Sequence, residues 1–288
     1  MINKFNKNPF QSIRFPFYYL ECIKRPGKNY FLKKIISEDF IILILGISFL
    51  SIQPIIHAVG VLFLLFSFWC IYEIGYYEND LIAENFEKAP VLSSTYKTYK
   101  NNFNIWTNWL WALLFAFIGV ILLEINQIGQ PISQIDRRHL LNMHTISLWL
   151  GLLVLVRIIF YVYNHVDKKT RVWIYPLLQT CKYFSFAVIT SIDIVSVMLF
   201  ASQIFASFIN YFTYRFGEAG SWPESIPQQF IRLMFFSLLV LFTILKDGNI
   251  ELLTNLQVIF ILLFCAFKAR HEMKLILQQF NFIYQDKV

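Results

Sequence analysis

The sequence predicts an all-α fold: a polytopic transmembrane helix bundle of about seven spans, with seven to nine compatible with the pattern. The chain is 57% hydrophobic and 15% charged, whereas soluble domains carry about 25% charged residues. Runs without Asp, Glu, Lys or Arg occupy residues 40–72, 101–123, 139–156, 194–214, 233–245 and 252–267. A helix needs about 20 apolar residues to cross a bilayer core. These runs lack the alternation of barrel strands, so helices are favoured.

The predicted spans follow the charge-free runs in chain order. They are residues 39–56, 58–78, 104–124, 143–163, 183–209, 227–245 and 250–268. The first run is too long for one span, and Gln53, Pro54, His57 and Gly60 in its middle indicate a tight turn between two helices. The fifth predicted span is long enough to be tilted or broken.

Residues 1–38 form a segment distinct from the predicted transmembrane domain, which we take as residues 39–288. This segment holds eight Lys or Arg, with no compact apolar core before a cleavage site, which argues against a removable signal peptide. We expect a basic amphipathic segment on the cytoplasmic surface. Loop charges place the N-terminus inside, in the bacterial inner (cytoplasmic) membrane. Seven spans then place the basic C-terminal tail outside, against the same rule.

The remaining composition narrows the function classes. The four cysteines show no paired spacing, so disulfides and cysteine metal motifs are not expected. The net charge of +7 is explained by inner loops that face anionic membrane lipids, and no nucleic-acid partner is needed. The sequence leaves the oligomeric state open.

An acidic stripe marks the second predicted span. Glu73 lies inside the apolar run, where an ionised group costs several kcal/mol unless it is paired or hydrated. Asp80, Glu84 and Glu87 fall on the same helical face, and Asn79 flanks them. The stripe starts within the bilayer and leaves it at one end.

A basic stripe marks the fourth predicted span. Arg157 lies inside this span, and Asn164, Lys168 and Arg171 follow on its face, with Asp167 beside them. Both helices run in the same direction, and both buried charges lie about two turns before the exit. We therefore predict a Glu73–Arg157 ion pair. Asp193 and Arg232 add a second polar layer in later spans.

These two stripes predict a site for a lipid diphosphate at the cytoplasmic face. Carboxylate and amide oxygens suit Mg²⁺, which bridges to substrate phosphates, while Lys and Arg hold the other phosphate oxygens. The candidate catalytic residues are Asp80, Glu84 and Glu73. The candidate metal ligands are Asp80, Glu84, Glu87 and Asp167. The candidate substrate-binding residues are Asn79, Asn164, Lys168, Arg171, Lys182, Arg157 and Tyr76.

The arrangement resembles the UbiA-type intramembrane prenyltransferases. That family has an Asn-Asp-rich motif after its second helix and a second Asp-rich motif after a later even-numbered helix. Here Asn79-Asp80 with Glu84 and Glu87 is similar to the first motif, and Asn164 with Asp167 occupies the place of the second. The resemblance implies a Mg²⁺-dependent transfer of a polyprenyl group from an isoprenoid diphosphate.

The chain departs from that family pattern, and two other functions stay open. Ala83 stands where the family motif has Asp, and the second motif has one Asp instead of two. One alternative is a transporter or flippase of an amphiphilic anion, with Glu73, Arg157, Asp193 and Arg232 along a central path. The other is a non-catalytic membrane assembly partner, which needs none of these groups for chemistry.

Overall fold

The computed structural model describes residues 15–88, 90–125, 143–217, 226–248 and 250–285, and every regular element in these ranges is helical. The helices are α1 (Tyr19–Lys24), α2 (31–48), α3 (Pro54–Phe86), α4 (Tyr96–Tyr99), α5 (Ile105–Ile125), α6 (Met143–His165), α7 (Arg171–Phe184), α8 (Ile194–Phe216), α9 (Gln228–Asp247) and α10 (Leu256–Gln285). Helix α1 and most of α2 are π-helical. The all-α prediction is confirmed.

Within the described ranges, five helices have the length and apolarity needed to span a membrane: α3, α5, α6, α8 and α9. The protein is therefore an integral membrane helix bundle by these criteria. The predicted fifth span, residues 183–209, is broken: α7 ends at Phe184 and α8 begins at Ile194. The Asp193 side chain caps α8, because its Oδ1 accepts the Ser196 N–H at 2.8 Å.

The α2–α3 turn and the α3–α5 contact have clear local causes. The chain turns between Ser48 and Pro54, and Pro54 occupies the first turn of α3, where its missing N–H costs nothing. His57 and Gly60, which the sequence also assigned to this turn, lie inside α3. Gly60 of α3 and Gly119 of α5 face each other: a Cβ on Gly119 would lie 2.9 Å from the Gly60 carbonyl oxygen. Small residues at this crossing let the two backbones approach closely.

Contacts at both ends fix the direction of α7 and α8. Arg171, at the start of α7, reaches Asn164 near the end of α6, while Phe186 beyond α7 packs on Trp149 near the start of α6. Helix α7 is therefore antiparallel to α6. Helix α8 returns, because the Tyr211 hydroxyl near its end lies 2.6 Å from that of Tyr163 in α6.

Helices α9 and α10 continue the alternation. Thr243 near the end of α9 contacts Met198 near the start of α8. Gln257 at the start of α10 donates to the Leu45 carbonyl near the end of α2, and Lys268 further along donates to Ser37. Helix α10 therefore runs antiparallel to α2, toward the end of the bundle where α3 and α6 terminate, which we call the motif end. The prediction that the C-terminal tail lies outside stays a prediction.

Candidate functional site

Glu73 is buried in the middle of the bundle and holds the N-terminal segment. It is 1% exposed. Its Oε1 accepts the Leu20 N–H at 2.9 Å, and its Oε2 accepts the Phe17 N–H at 3.1 Å and the Asn108 amide at 3.0 Å. Backbone donors and an amide thus satisfy this carboxylate inside the apolar run.

The predicted Glu73–Arg157 ion pair is wrong. Arg157 instead forms an ion pair with Glu78, five residues further along α3. The two predicted partners do lie on neighbouring helices, but the N-terminal segment packs beside α3 and occupies the carboxylate of Glu73. Periodicity within spans could not show this, because two of the three donors are backbone N–H groups of Phe17 and Leu20, which lie outside the spans.

Residues 15–30 lie along α3 and are called the strap. Tyr19 donates its hydroxyl to Asp80 Oδ2 at 2.7 Å, and Lys24 forms an ion pair with Asp80 Oδ1. Burial, together with the Asp80 carboxylate, raises the pKa of Tyr19, so its hydroxyl stays protonated as a donor. The strap therefore buries Asp80, which is 3% exposed.

Arg171 gathers several of the predicted site residues. Its Nη1 lies 3.4 Å from Asn79 Oδ1 and 3.3 Å from Glu87 Oε1, and its Nη2 donates to the Asn164 carbonyl at 3.0 Å. Lys168 pairs with the second Glu87 oxygen at 2.8 Å. The two predicted motifs, one after α3 and one after α6, therefore meet around one guanidinium group.

Glu84 and Asp167, two of the four predicted metal ligands, point elsewhere. Glu84 pairs with Lys100 at 2.7 Å and accepts the Tyr96 hydroxyl at 3.1 Å. Asp167 accepts the backbone N–H groups of Lys169 and Thr170 just before α7. Within the described ranges, no group of three or more His, Cys, Asp or Glu is placed to hold a metal ion. The structure does not gather the predicted set of four carboxylates.

Tyr76 and Lys182 connect this site with the interior. The Lys24 ammonium lies 5.9 Å from the Tyr76 ring centroid, so Tyr76 borders the Asp80 contact. Lys182 is 2% exposed and lies deeper. It pairs with Asp39 at 3.0 Å, and the Tyr183 hydroxyl donates to the same oxygen at 2.7 Å. Lys182 therefore does not join the Arg171 contacts as predicted.

The sequence did not predict the group of charged residues around Lys182. We call this group the inner cluster; it contains Lys34, Glu38, Asp39, Lys182 and Arg232. Lys34 pairs with Glu38 at 2.9 Å, and Gln203 donates to the same Glu38 oxygen at 3.0 Å. Arg232 then donates to Gln203 Oε1 at 2.8 Å. The available signals were the adjacent carboxylates Glu38 and Asp39 beside the first apolar run and the isolated Arg232. Only the antiparallel packing brings them together.

Comparison with protein-family models, with curated proteins and with solved structures finds no match to this chain. In its described residues, the chain is an all-helical membrane bundle with a polar, ion-paired group of side chains at one end.

Proposed function

We propose that the protein binds the diphosphate head of a lipid at the motif end and transfers the attached lipid group, as the resemblance to UbiA-type prenyltransferases implies. The observation that carries this proposal is the convergence around Arg171. Arg171 and Lys168, which follow α6, meet Asn79 and Glu87 of the first motif, and Lys24 meets Asp80 beside them. Cations and oxygen ligands for a phosphate head thus lie at the end of a buried span.

Charge balance supports a diphosphate that binds together with Mg²⁺. The three cations Lys24, Lys168 and Arg171 share two carboxylates, Asp80 and Glu87, so an anion alone would meet both signs of charge. If the diphosphate takes Lys24, Lys168 and Arg171, then Asp80 and Glu87 are released and become available to a divalent cation. Mg²⁺ is commonly bound by one or two carboxylates plus substrate phosphates and water. We therefore assign Asp80, Glu87 and Asn79 as its protein ligands and leave Glu84 and Asp167 out.

In the proposed reaction, Mg²⁺ and the protein side chains have different roles. Bound Mg²⁺ would supply neutralisation of the departing diphosphate. Lys168 and Arg171 would hold the non-bridging oxygens, and the planar guanidinium can do so through two parallel hydrogen bonds. The strap would keep water from Asp80, and Tyr76 would line the path from the head group to the apolar interior.

We also infer that α2, α7 and α10 cross the bilayer beside the five long apolar helices. Eight antiparallel crossings would place both described ends of the chain on one side. The motif end carries Lys24, Arg25, Lys28, Lys97, Lys100, Lys168, Lys169 and Arg171. Cytoplasmic loops are enriched in Lys and Arg, which supports a cytoplasmic motif end.

A non-catalytic membrane assembly partner is the second candidate. It is favoured by the complete pairing of the acidic groups near the end of α3. Glu78, Asp80, Glu84 and Glu87 each have a cation partner within the chain. Such pairs would simply hold helices together. The transporter hypothesis has less support, because Asp193 caps α8 and Glu73 holds the strap.

The experiment that tests transfer measures diphosphate release from radiolabelled geranylgeranyl diphosphate in membranes that contain the overproduced protein. We expect Mg²⁺-dependent release with the wild type and a loss of at least about 100-fold in Asp80→Asn and Arg171→Met, within the range of lost charge stabilisation. Lys246→Met removes an exposed cation at the end of α9 and serves as the control. Release equal to that of membranes without the protein would favour the assembly role.

A further inference from the structure

The inner cluster carries more positive than negative charge. Its members come from α2, α7, α9 and α10 and include Lys34, Glu38, Asp39, Lys182, Arg232 and Lys268. Glu272 of α10 also lies within electrostatic reach of Arg232 and Glu38. Among the described residues, four cations therefore face three carboxylates. Glu38, Asp39, Lys182 and Arg232 are buried, whereas Lys34, Lys268 and Glu272 are partly exposed. The net positive charge attracts an anion to the cluster.

Arg232 is the group that this imbalance leaves incompletely satisfied. Its side chain is 1% exposed. Nη1 donates to Gln203, but Glu38 Oε1 lies 3.7 Å away, too far for a hydrogen bond. Its Nε and Nη2 atoms are buried and have no hydrogen-bond partner among the described residues. The Cys265 thiol lies beside the guanidinium, but a thiol is a weak acceptor.

The unpartnered Nε–Nη2 edge has the geometry that binds two oxygens of one oxyanion. Guanidinium groups hold carboxylates and phosphates through two parallel N–H···O bonds along such an edge. Lys268 is a second donor nearby, because both cations lie over the Phe264 ring, at 5.0 Å for Arg232 and 5.9 Å for Lys268. The Lys34 side chain, which pairs with Glu38, is 24% accessible, so the cluster extends from the buried Arg232 to the surface of the bundle.

We propose that the inner cluster is a second anion-binding site, in which Arg232 holds the carboxylate or phosphate group of a ligand between α2, α9 and α10. One bound negative charge balances the net charge of the cluster and supplies the acceptors that Nε and Nη2 lack. The site is separate from Asp80 and Arg171. It requires no Mg²⁺ and stands whether or not the proposed transfer does.

Thermal unfolding of purified protein in detergent tests this site with defined probes. Sodium benzoate and sodium phosphate represent free anions, and lipid nanodiscs with phosphatidic acid, compared with phosphatidylcholine alone, represent a lipid head group. We expect at least one probe to raise the melting temperature in the absence of Mg²⁺. The rise should be the same for the wild type and for Asp80→Asn. The probe that does so identifies the source of the anion. No stabilisation by any probe at equal ionic strength would overturn the proposal.

Variants assign the effect to Arg232. Arg232→Lys keeps the charge but loses the two-donor edge, and we expect at least about tenfold weaker binding of the active probe. Arg215→Lys is the matched control, an arginine that contacts Tyr211 at the end of α8. If Arg232→Lys does not fold, Lys268→Met replaces it in the test, since this change leaves the Arg232–Gln203 contact intact. A folded Arg232→Lys variant that binds the active probe with wild-type affinity would overturn the assignment. If Lys268→Met is the variant tested, its binding with wild-type affinity would overturn the assignment in the same way.

Discussion

At the scale of single residues, the buried carboxylates of α3 hold the N-terminal strap and bind the neighbouring helices. Glu73 receives three N–H donors and Asp80 receives Tyr19 and Lys24. Hydrogen bonds to charged groups contribute about 1.5–3 kcal/mol each, so these contacts are large on the scale of one domain's stability. The strap is therefore an integral part of the bundle.

Double-mutant cycles test the pairing of Arg157. We expect a coupling free energy of about 0.5–3 kcal/mol between Glu78→Gln and Arg157→Met, since these side chains form an ion pair. Glu73→Gln and Arg157→Met should be additive within about 0.5 kcal/mol. The measurement is the free energy of unfolding in detergent. A coupling free energy above this limit between Glu73 and Arg157 would show that these two side chains form the ion pair that the sequence predicts.

The residue scale also shows what the sequence alone could predict. Glu73, Asp80 and Arg157 stand out as charges in or near apolar runs. Glu73 accepts hydrogen bonds, and Asp80 and Arg157 each form an ion pair. Their partners could not be predicted, because helical periodicity reports which face a residue occupies and carries no information on which neighbour meets that face. The backbone donors of Phe17 and Leu20 leave no pattern of side chains at all.

At the scale of helices, close contacts at glycine set the position of α6 against α3. A Cβ on Gly75 would lie 2.4 Å from the Phe160 ring of α6. The Phe160 ring also packs on Tyr72 of α3 at 4.5 Å between centroids. Gly75, between Ile74 and Tyr76 of α3, is thus the residue whose missing side chain lets the two motif-bearing helices approach.

Two glycine substitutions test this contact as a matched pair. Gly75→Ala should lower the free energy of unfolding by about 1–3 kcal/mol, since the added methyl forces α3 and α6 apart. Gly151→Ala places its methyl where no atom lies within 4 Å. That change should be neutral or stabilising by up to about 1 kcal/mol through helix propensity. Equal melting temperatures for the two variants would contradict the packing described for Gly75.

Apolar run length predicted the long helices well and the interrupted ones poorly. The spans that became α3, α5 and α6 follow continuous apolar runs. The run at residues 183–209 conceals a break, because Asp193 caps a new helix and the preceding chain belongs to α7. Helix α7 is amphipathic and carries Lys182 inward, so an apolar-run criterion passes over it.

At the scale of the whole molecule, antiparallel packing directs the final helix toward the motif end, where Tyr19 and Lys24 of the strap also lie. The two motifs, the strap and the final helix then share one side of the bundle. With seven spans, the basic tail violates the charge rule, whereas the eight crossings that we propose would place it with the other basic segments. The short, charged α7 is the proposed crossing that the apolar runs do not predict.

Reporter fusions test this topology. A green fluorescent protein fused after residue 285 should fluoresce in a bacterial host, and alkaline phosphatase at the same position should be inactive, because the C-terminal end is then cytoplasmic. Alkaline phosphatase fused after Ile125 should be active, since α5 ends opposite the motif end. An active phosphatase after residue 285 would contradict eight crossings and restore the odd count.

The central claim is that the motif end binds a lipid diphosphate together with Mg²⁺. Thermal unfolding of the purified protein with geranylgeranyl diphosphate, with and without Mg²⁺, tests it most directly. Ligand at 100 times its Kd stabilises the folded state by about 2.7 kcal/mol, so we predict a clear rise in Tm for the wild type when both are present. Asp80→Asn should abolish the rise, and Glu84→Gln should keep it. No Mg²⁺-dependent rise in the wild type, or an equal rise in Asp80→Asn, would contradict the claim.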